Sequence, residues 1–333
     1  MASFAPILRL PAEASAQAGY KASSILRYRL RFMSCLGSKS ARSKSVTYFL
    51  SVTKSWFYGS LLLLFVGISS PEVYSQELIV YKTIDTTALY LEIYPPPTSS
   101  TAKVPAMIFF FGGGWVGGNR SQFEPHAKYF AQRGIKCFLA DYRVRNKHQT
   151  TPFDALKDAK SAIRFLKANA ERFQIDPNQI IAAGGSAGGH LAAATASING
   201  FNDASDNIAI SAIPNALVLF NPVVDNGPGG YGYERISEAY QAFSPLHNIR
   251  KGLPPTIFLV GTKDRLIPVE TAEYYQVAME RAGNYCQLEL YLDQPHGFFN
   301  YNRLENYKKT VLAVDQFLQK LGLISEFPKI EIK

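Results

Sequence analysis

Cysteine is scarce in this sequence, with three among 333 residues. Cys137 and Cys286 each sit in an apolar, strand-like run, no CxxC pair occurs, and the spacing fits no metal pattern. A cysteine-ligated metal module is excluded. The two thiols are expected buried and free, and nothing in the pattern supports a disulfide. A basic surface is missing too, although the net charge is +9. Residues 1–76 hold nine Lys/Arg against two acids, which leaves 26 basic and 24 acidic residues for the remainder. That near-neutral remainder excludes a nucleic-acid-binding surface. No internal repeat occurs. The longest apolar run, Trp56 to Ile68, is of signal-peptide length and short for a membrane span.

What is present is a globular composition, 47% hydrophobic, with ample material for a core. Residues 1–76 are read as a basic leader. Its first 45 residues are rich in Ser, Ala and Arg and lack apolar periodicity, so they are expected to be disordered. Lys54 flanks the apolar run, and Val73-Tyr74-Ser75 offers a cleavage site. The leader is expected to act as a signal peptide or an uncleaved amino-terminal anchor. The chain is then exported, to a periplasmic or extracellular location, and meets a membrane only through that segment.

Residues 77–333 read as one domain. Runs 77–84 and 88–94 have strand character and suggest an opening hairpin. Apolar runs follow at 104–111, 135–142, 180–185, 215–222, 255–260 and 286–292. Amphipathic segments lie between them. Thr151-Pro152-Phe153-Asp154 is a helix start, with an N-cap, proline at the first turn and an acid three positions on. Its helix is expected to reach about Phe173, and Asp176-Pro177 to turn into the next strand. The alternation predicts an α/β fold with a doubly wound, mostly parallel sheet.

The chain is organised around Gly184-Gly185-Ser186-Ala187-Gly188, a Gly-x-Ser-x-Gly turn between an apolar strand and a small-residue helix. Ser186 is the candidate nucleophile. A serine hydroxyl needs a general base, and the base needs an orienting acid. Five histidines are available. His190 follows Ser186 by one helical turn, His126 and His148 precede the elbow, and His247 lies in a proline-rich region. His296 follows the last strand, where a parallel sheet places site residues, and is the expected base. Asp264 ends the preceding strand run and is preferred as the acid over Asp225, which is expected to anchor the next loop. Ala187 and the glycines after the third strand can offer backbone N–H groups to an oxyanion.

The motifs Phe111-Gly112-Gly113-Gly114-Trp115, Gly184 to Gly189, Gly261-Thr262-Lys263-Asp264 and His296-Gly297-Phe298-Phe299 resemble the α/β-hydrolase superfamily. Within it the chain is similar to the carboxylesterase/acetyl esterase group around the hormone-sensitive-lipase-like enzymes, and looks like the bifunctional acetylxylan/feruloyl esterase-like proteins, over about 77–325. The resemblance implies an α/β-hydrolase catalytic domain at 77–333, with a mostly parallel eight-stranded sheet flanked by helices and a short lid region. It implies a serine esterase with no metal or cofactor, and an oxyanion hole in which Gly113 and Gly114 join Ala187. Phe111 stands where the family pattern carries histidine, so the support of that loop must differ.

The expected substrate is a small ester or an acylated carbohydrate. Trp115, Tyr231 and Tyr233 are candidates for an aromatic wall against a sugar ring or phenolic acyl group. Arg143 and Arg145 are placed to meet an acidic or sulfated glycan. Two amide-hydrolase readings use the same machinery. An arylformamidase-like enzyme stays open, whereas a prolyl-oligopeptidase-like peptidase usually carries a propeller for which the chain has no room. A non-catalytic binding module of the same fold would be marked by a lost triad residue, and none is missing.

Overall fold

The computed structural model describes residues 77–97 and 102–332. The leader and its cleavage site lie outside them. Eight strands follow in chain order: β1 (Glu77–Ile84), β2 (Thr87–Tyr94), β3 (Val104–Phe110), β4 (Lys136–Ala140), β5 (Ile175–Gly185), β6 (Ala216–Phe220), β7 (Thr256–Gly261) and β8 (Cys286–Tyr291). They form one sheet in the order β1-β2-β4-β3-β5-β6-β7-β8. β1 and β2 are the expected hairpin, with Asp85 at φ 50° in its turn. β2 joins β4 antiparallel, and every later pairing is parallel. Among the described residues no helix is long and apolar enough to cross a membrane.

Successive strand residues point to opposite faces, so a strand apolar at every position must be covered twice. β3 shows this. Ile108 and Phe110 lie in the apolar layer that also holds residues of the helices Pro152–Ala168, Ala187–Ser197 and Val269–Arg281. Met107 and Phe109 pack with the helices Glu124–Gln132 and Leu304–Lys320. Each fully buried side chain of this size contributes roughly 1.5–3 kcal/mol. The central strands thereby become a rigid platform whose carboxyl ends carry the loops of interest.

Two local expectations change. The helix begun at Thr151 has its capping box, but it ends at Ala168, and a separate turn spans Ala170–Phe173. Asn169 leaves helical geometry, and its side-chain amide donates to the Phe165 carbonyl at 2.9 Å, diverting the backbone. The Asp176-Pro177 turn is real but lies inside β5. Asp176 accepts from the Asn178 N–H at 2.8 Å, and pairing with β3 jumps from Val104/Ile175 to Ala106/Ile180.

Cys137 lies on β4 and Cys286 on β8, both buried and free. Five strand steps separate them, about 24 Å at the usual strand spacing, so no disulfide can join them. Burial pushes both thiols up, Cys286 to about 12.

His126 lies wholly within the second face. Tyr307, Phe123 and Phe220 surround it at ring-centroid distances of 4.8, 5.0 and 5.3 Å, and neither ring nitrogen has a partner among the described residues. Burial pulls its pKa down to about 3. The unfolded state therefore binds the proton first, and stability falls as pH drops from about 6.5 towards 3, by about 1.4 kcal/mol per unit. His126→Phe is expected to raise stability by about 1 kcal/mol at neutral pH. It should also flatten that acid limb, as urea unfolding at pH 7 and pH 5 would measure. An unchanged difference between the two pH values would refute the account.

Candidate active site

β5 drives Ser186 into φ 54° and ψ −119°, a strained conformation for a residue with a side chain. The neighbouring glycines make the bend sterically feasible. A Cβ on Gly184 would lie 2.3 Å from the Gly188 carbonyl oxygen, and one on Gly188 would lie 2.0 Å from that of Phe110. The turn holds the serine side chain clear of the strand, at the start of the Ala187–Ser197 helix.

Asp264 and His296 arrive from the loops after β7 and β8. His296 Nδ1 is 2.7 Å from Asp264 Oδ2, and His296 Nε2 is 2.9 Å from Ser186 Oγ. With the proton on Nδ1, the Nε2 lone pair faces the serine hydroxyl. The Asp264 side chain is fully buried, and its second oxygen accepts from the Leu266 and Ile267 N–H groups at 2.9 and 3.0 Å. The two loops are pressed together, since a Cβ on Gly261 would lie 2.1 Å from the Gln294 carbonyl oxygen. Asp225 is elsewhere. It accepts from the Gly227 N–H at 2.8 Å and lies 3.8 Å from His247. His190 is also apart, buried with Nε2 at 3.0 Å from the Phe243 carbonyl oxygen, and burial pulls it down to about 3.

The loop after β3 lies against Ser186. A Cβ on Gly112 would be 3.5 Å from Ser186 Cβ. Gly113 and Gly114 have φ of 132° and 62°, which a side chain would resist. Among the described residues, the N–H groups of Gly113, Gly114 and Ala187 have no acceptor. Donors of this kind beside the Ser186 hydroxyl could hold a developing oxyanion.

Phe111 does not support this loop by hydrogen bonding from its side chain. Its ring stacks on Tyr142 at 4.1 Å, and the Tyr142 hydroxyl donates to the Phe111 carbonyl at 2.7 Å. Support comes instead from residues the sequence reading did not single out. The Gly112 N–H donates to Gln122 Oε1 at 2.7 Å, and Gln122 Nε2 donates to Asn300 Oδ1 at 2.8 Å. Asn300 Nδ2 donates to the Gly297 carbonyl at 2.8 Å, and the Gly297 N–H donates to Asn221 Oδ1 at 3.0 Å. Asn221 Nδ2 lies 3.4 Å from His296 Nε2. The circuit ties the oxyanion loop to the histidine loop. Asn221 was findable, as a buried polar residue ending a parallel strand; Gln122 and Asn300 carry no period or motif. Gln122→Ala is expected to lower kcat by about 10- to 100-fold with KM within a few-fold, because it loosens a donor used in the transition state. A loss confined to KM would refute that role.

The aromatic wall differs from expectation. Trp115 is only 1% exposed and is covered by His190, Tyr231 and Phe243, so it supports the loop from beneath. Tyr233 turns its hydroxyl to Glu238 at 3.0 Å. Tyr231 alone stands at the loop, its hydroxyl 2.6 Å from where a Gly114 Cβ would be. Arg143 is also withdrawn, with Nε and Nη2 donating to Asp158 at 2.7 and 2.8 Å. Among the described residues no cluster of His, Cys, Asp or Glu could hold a metal ion.

Comparison with known proteins gives a consistent set of matches. The family model described as BD-FAE matches residues 91–228. The butyrate-bound structure of an esterase, Est2, from Thermogutta terrifontis shares 40% identity, covers 78% of this chain and 98% of its own, and has a TM-score of 0.73. Esterase LipC of Mycobacterium tuberculosis is 30% identical over 242 residues, 64% of this chain and 58% of LipC. The acetylxylan esterase of Xylanibacter ruminicola is 29% identical over 238 residues, 65% of this chain and 44% of that protein. The chain thus spans about half the length of these curated relatives.

Proposed function

The chain belongs to the esterases of the α/β-hydrolase fold, and from that premise we propose that it is a serine carboxylic-ester hydrolase releasing acetyl or other small acyl groups, from carbohydrate in particular. The observation that carries the reading is the relay from Ser186 Oγ through His296 to Asp264, at 2.9 and 2.7 Å. Ser186 Oγ attacks the ester carbonyl while His296 Nε2 takes its proton. The carbonyl electron pair moves onto oxygen, held by the Gly113, Gly114 and Ala187 N–H groups. Asp264 keeps the imidazole oriented and balances the imidazolium. The oxyanion collapses, the C–O bond breaks, and His296 returns the proton to the leaving alcohol. Water then attacks the acyl-enzyme by the same steps and frees the acid.

A small acyl group is favoured by the butyrate-bound relative, and carbohydrate by the acetylxylan esterase. A short lid fits both, since only short helices lie between Gly232 and Ile249. We also propose export, on the strength of the apolar run after Lys54 and the Val73-Tyr74-Ser75 sequence. The test is p-nitrophenyl acetate hydrolysis by the purified protein and by Ser186→Ala. Equal rates would sink the proposal. Acetylated xylo-oligosaccharide and N-formylkynurenine should then be compared by kcat/KM. A strong preference for the second would replace the carbohydrate ester with an amide.

A further inference from the structure

The oxyanion loop has a second, cationic side. A cavity of about 120 Å³ is lined by Gly114, Trp115, Arg145, Thr150, Thr151 and Arg235, among others. That volume equals roughly four waters at about 30 Å³ each, enough for a carboxylate or sulfate group with its linking atoms. Gly114 belongs both to this cavity and to the loop beside Ser186.

Its two arginines are held differently. The Arg235 guanidinium lies over both the Trp115 and Tyr231 rings, 5.4 and 5.2 Å from their centroids, and donates through Nη1 to the Gly114 carbonyl. It is mostly buried, while its partner Glu234 is 69% exposed. Arg145 is exposed, and its side chain has no hydrogen bond or ion pair among the described residues. Its backbone is fixed to the loop, with the Arg145 N–H donating to the Trp115 carbonyl at 3.0 Å and that of Asn146 to Val116 at 2.9 Å. Thr150 Oγ1 is buried and has no partner among the described residues.

Other carboxylates nearby are already engaged. Asp154 accepts from the Thr151 N–H and hydroxyl at 3.0 and 2.7 Å and faces Lys157 at 3.6 Å. Asp158 is taken by Arg143 and Lys82. One unpaired guanidinium, a second held against two rings and a buried hydroxyl therefore meet in one recess. Planar, forked guanidinium donors suit a carboxylate or sulfate far better than a neutral group.

We propose that this recess binds an anionic substituent, a carboxylate or sulfate, on the ester substrate. The inference rests on the esterase reading and narrows it to acidic esters. The anion could sit on the acyl or the alcohol side, and the test has an arm for each. On the acyl side, p-nitrophenyl hydrogen glutarate is compared with p-nitrophenyl valerate. On the alcohol side, 4-acetoxybenzoate is compared with its methyl ester. The quantity read is the anionic-to-neutral ratio of kcat/KM. Arg145→Gln should lower that ratio by about tenfold or more in one arm, as expected for loss of a charge-assisted contact. Lys147→Gln removes the same charge from the same short helix, outside the cavity, and should leave the ratio at the wild-type value. A ratio unmoved by Arg145→Gln in both arms, or moved equally by Lys147→Gln, overturns the subsite while the esterase stands. No turnover of any of the four esters overturns the esterase reading, and the subsite with it.

Discussion

Asp264→Asn is expected to lower kcat/KM for p-nitrophenyl acetate by about four orders of magnitude, while Asp225→Asn leaves it within a few-fold. Every polar partner of the Asp264 carboxylate is a donor: His296 Nδ1 on one oxygen, the Leu266 and Ile267 N–H groups on the other. An asparagine satisfies only one side. With its oxygen towards the backbone, its NH2 faces His296, which must then put its proton on Nε2 and cannot accept one from Ser186. With its oxygen towards His296, the NH2 is pressed against two N–H donors in a fully buried position, a cost of about 1–3 kcal/mol. Asp225 makes its contacts with Gly227 and His247, away from Ser186 and His296. A loss below tenfold for Asp264→Asn, with thermal stability retained, would remove this carboxylate from the proposed mechanism.

Gly188→Ala is expected to abolish the native fold or cost at least about 4 kcal/mol, a range reached only by severe packing or strain defects. The added Cβ would lie 2.0 Å from the Phe110 carbonyl oxygen and 2.4 Å from that of Phe111. Neither oxygen belongs to a side chain that could swing away. β3 is hydrogen-bonded on both sides, to β4 and β5, so its end cannot yield without unpicking the sheet centre. Gly117→Ala is the matched control, since a Cβ there meets nothing within 4 Å and the residue's φ is unexceptional. Soluble yield and thermal unfolding read both. A Gly188→Ala protein melting within a few degrees of wild type would show that the helix can retreat from the strand.

The strands were legible because each is a short apolar run ended by glycine, proline or a polar turn. The elbow was legible because part of its glycine pattern is forced by a chain neighbour, Gly184 by the Gly188 backbone, although Gly188 itself is forced by the distant Phe110 and Phe111 carbonyls. The Ser186, Asp264 and His296 candidates could be picked out because a parallel sheet gathers residues that follow its strands. What escaped depends on contacts that no local pattern encodes. Gln122 meets Asn300 across 178 residues. Trp115 read as an open aromatic because its cover comes from Tyr231 and Phe243, in a segment that returns over it more than a hundred residues later. Arg143 and Arg145 look equivalent in sequence, and only the position of Asp158 separates them.

The sheet order also governs when the protein can first act. Ser186 leaves the ribosome 110 residues before His296, its partner in the proposed relay. At about 5–20 residues per second this interval lasts on the order of 5–20 s. For about the first third of it β5 has β3 on one side but lacks β6 on the other, and the open edge then passes to β6 and to β7 in turn. Ser186 has no partner to take its proton until the chain beyond β8 has been made. The unfinished sheet therefore presents the edge of an inner strand throughout the interval in which Ser186 lacks His296, and that exposure ends when β8 docks.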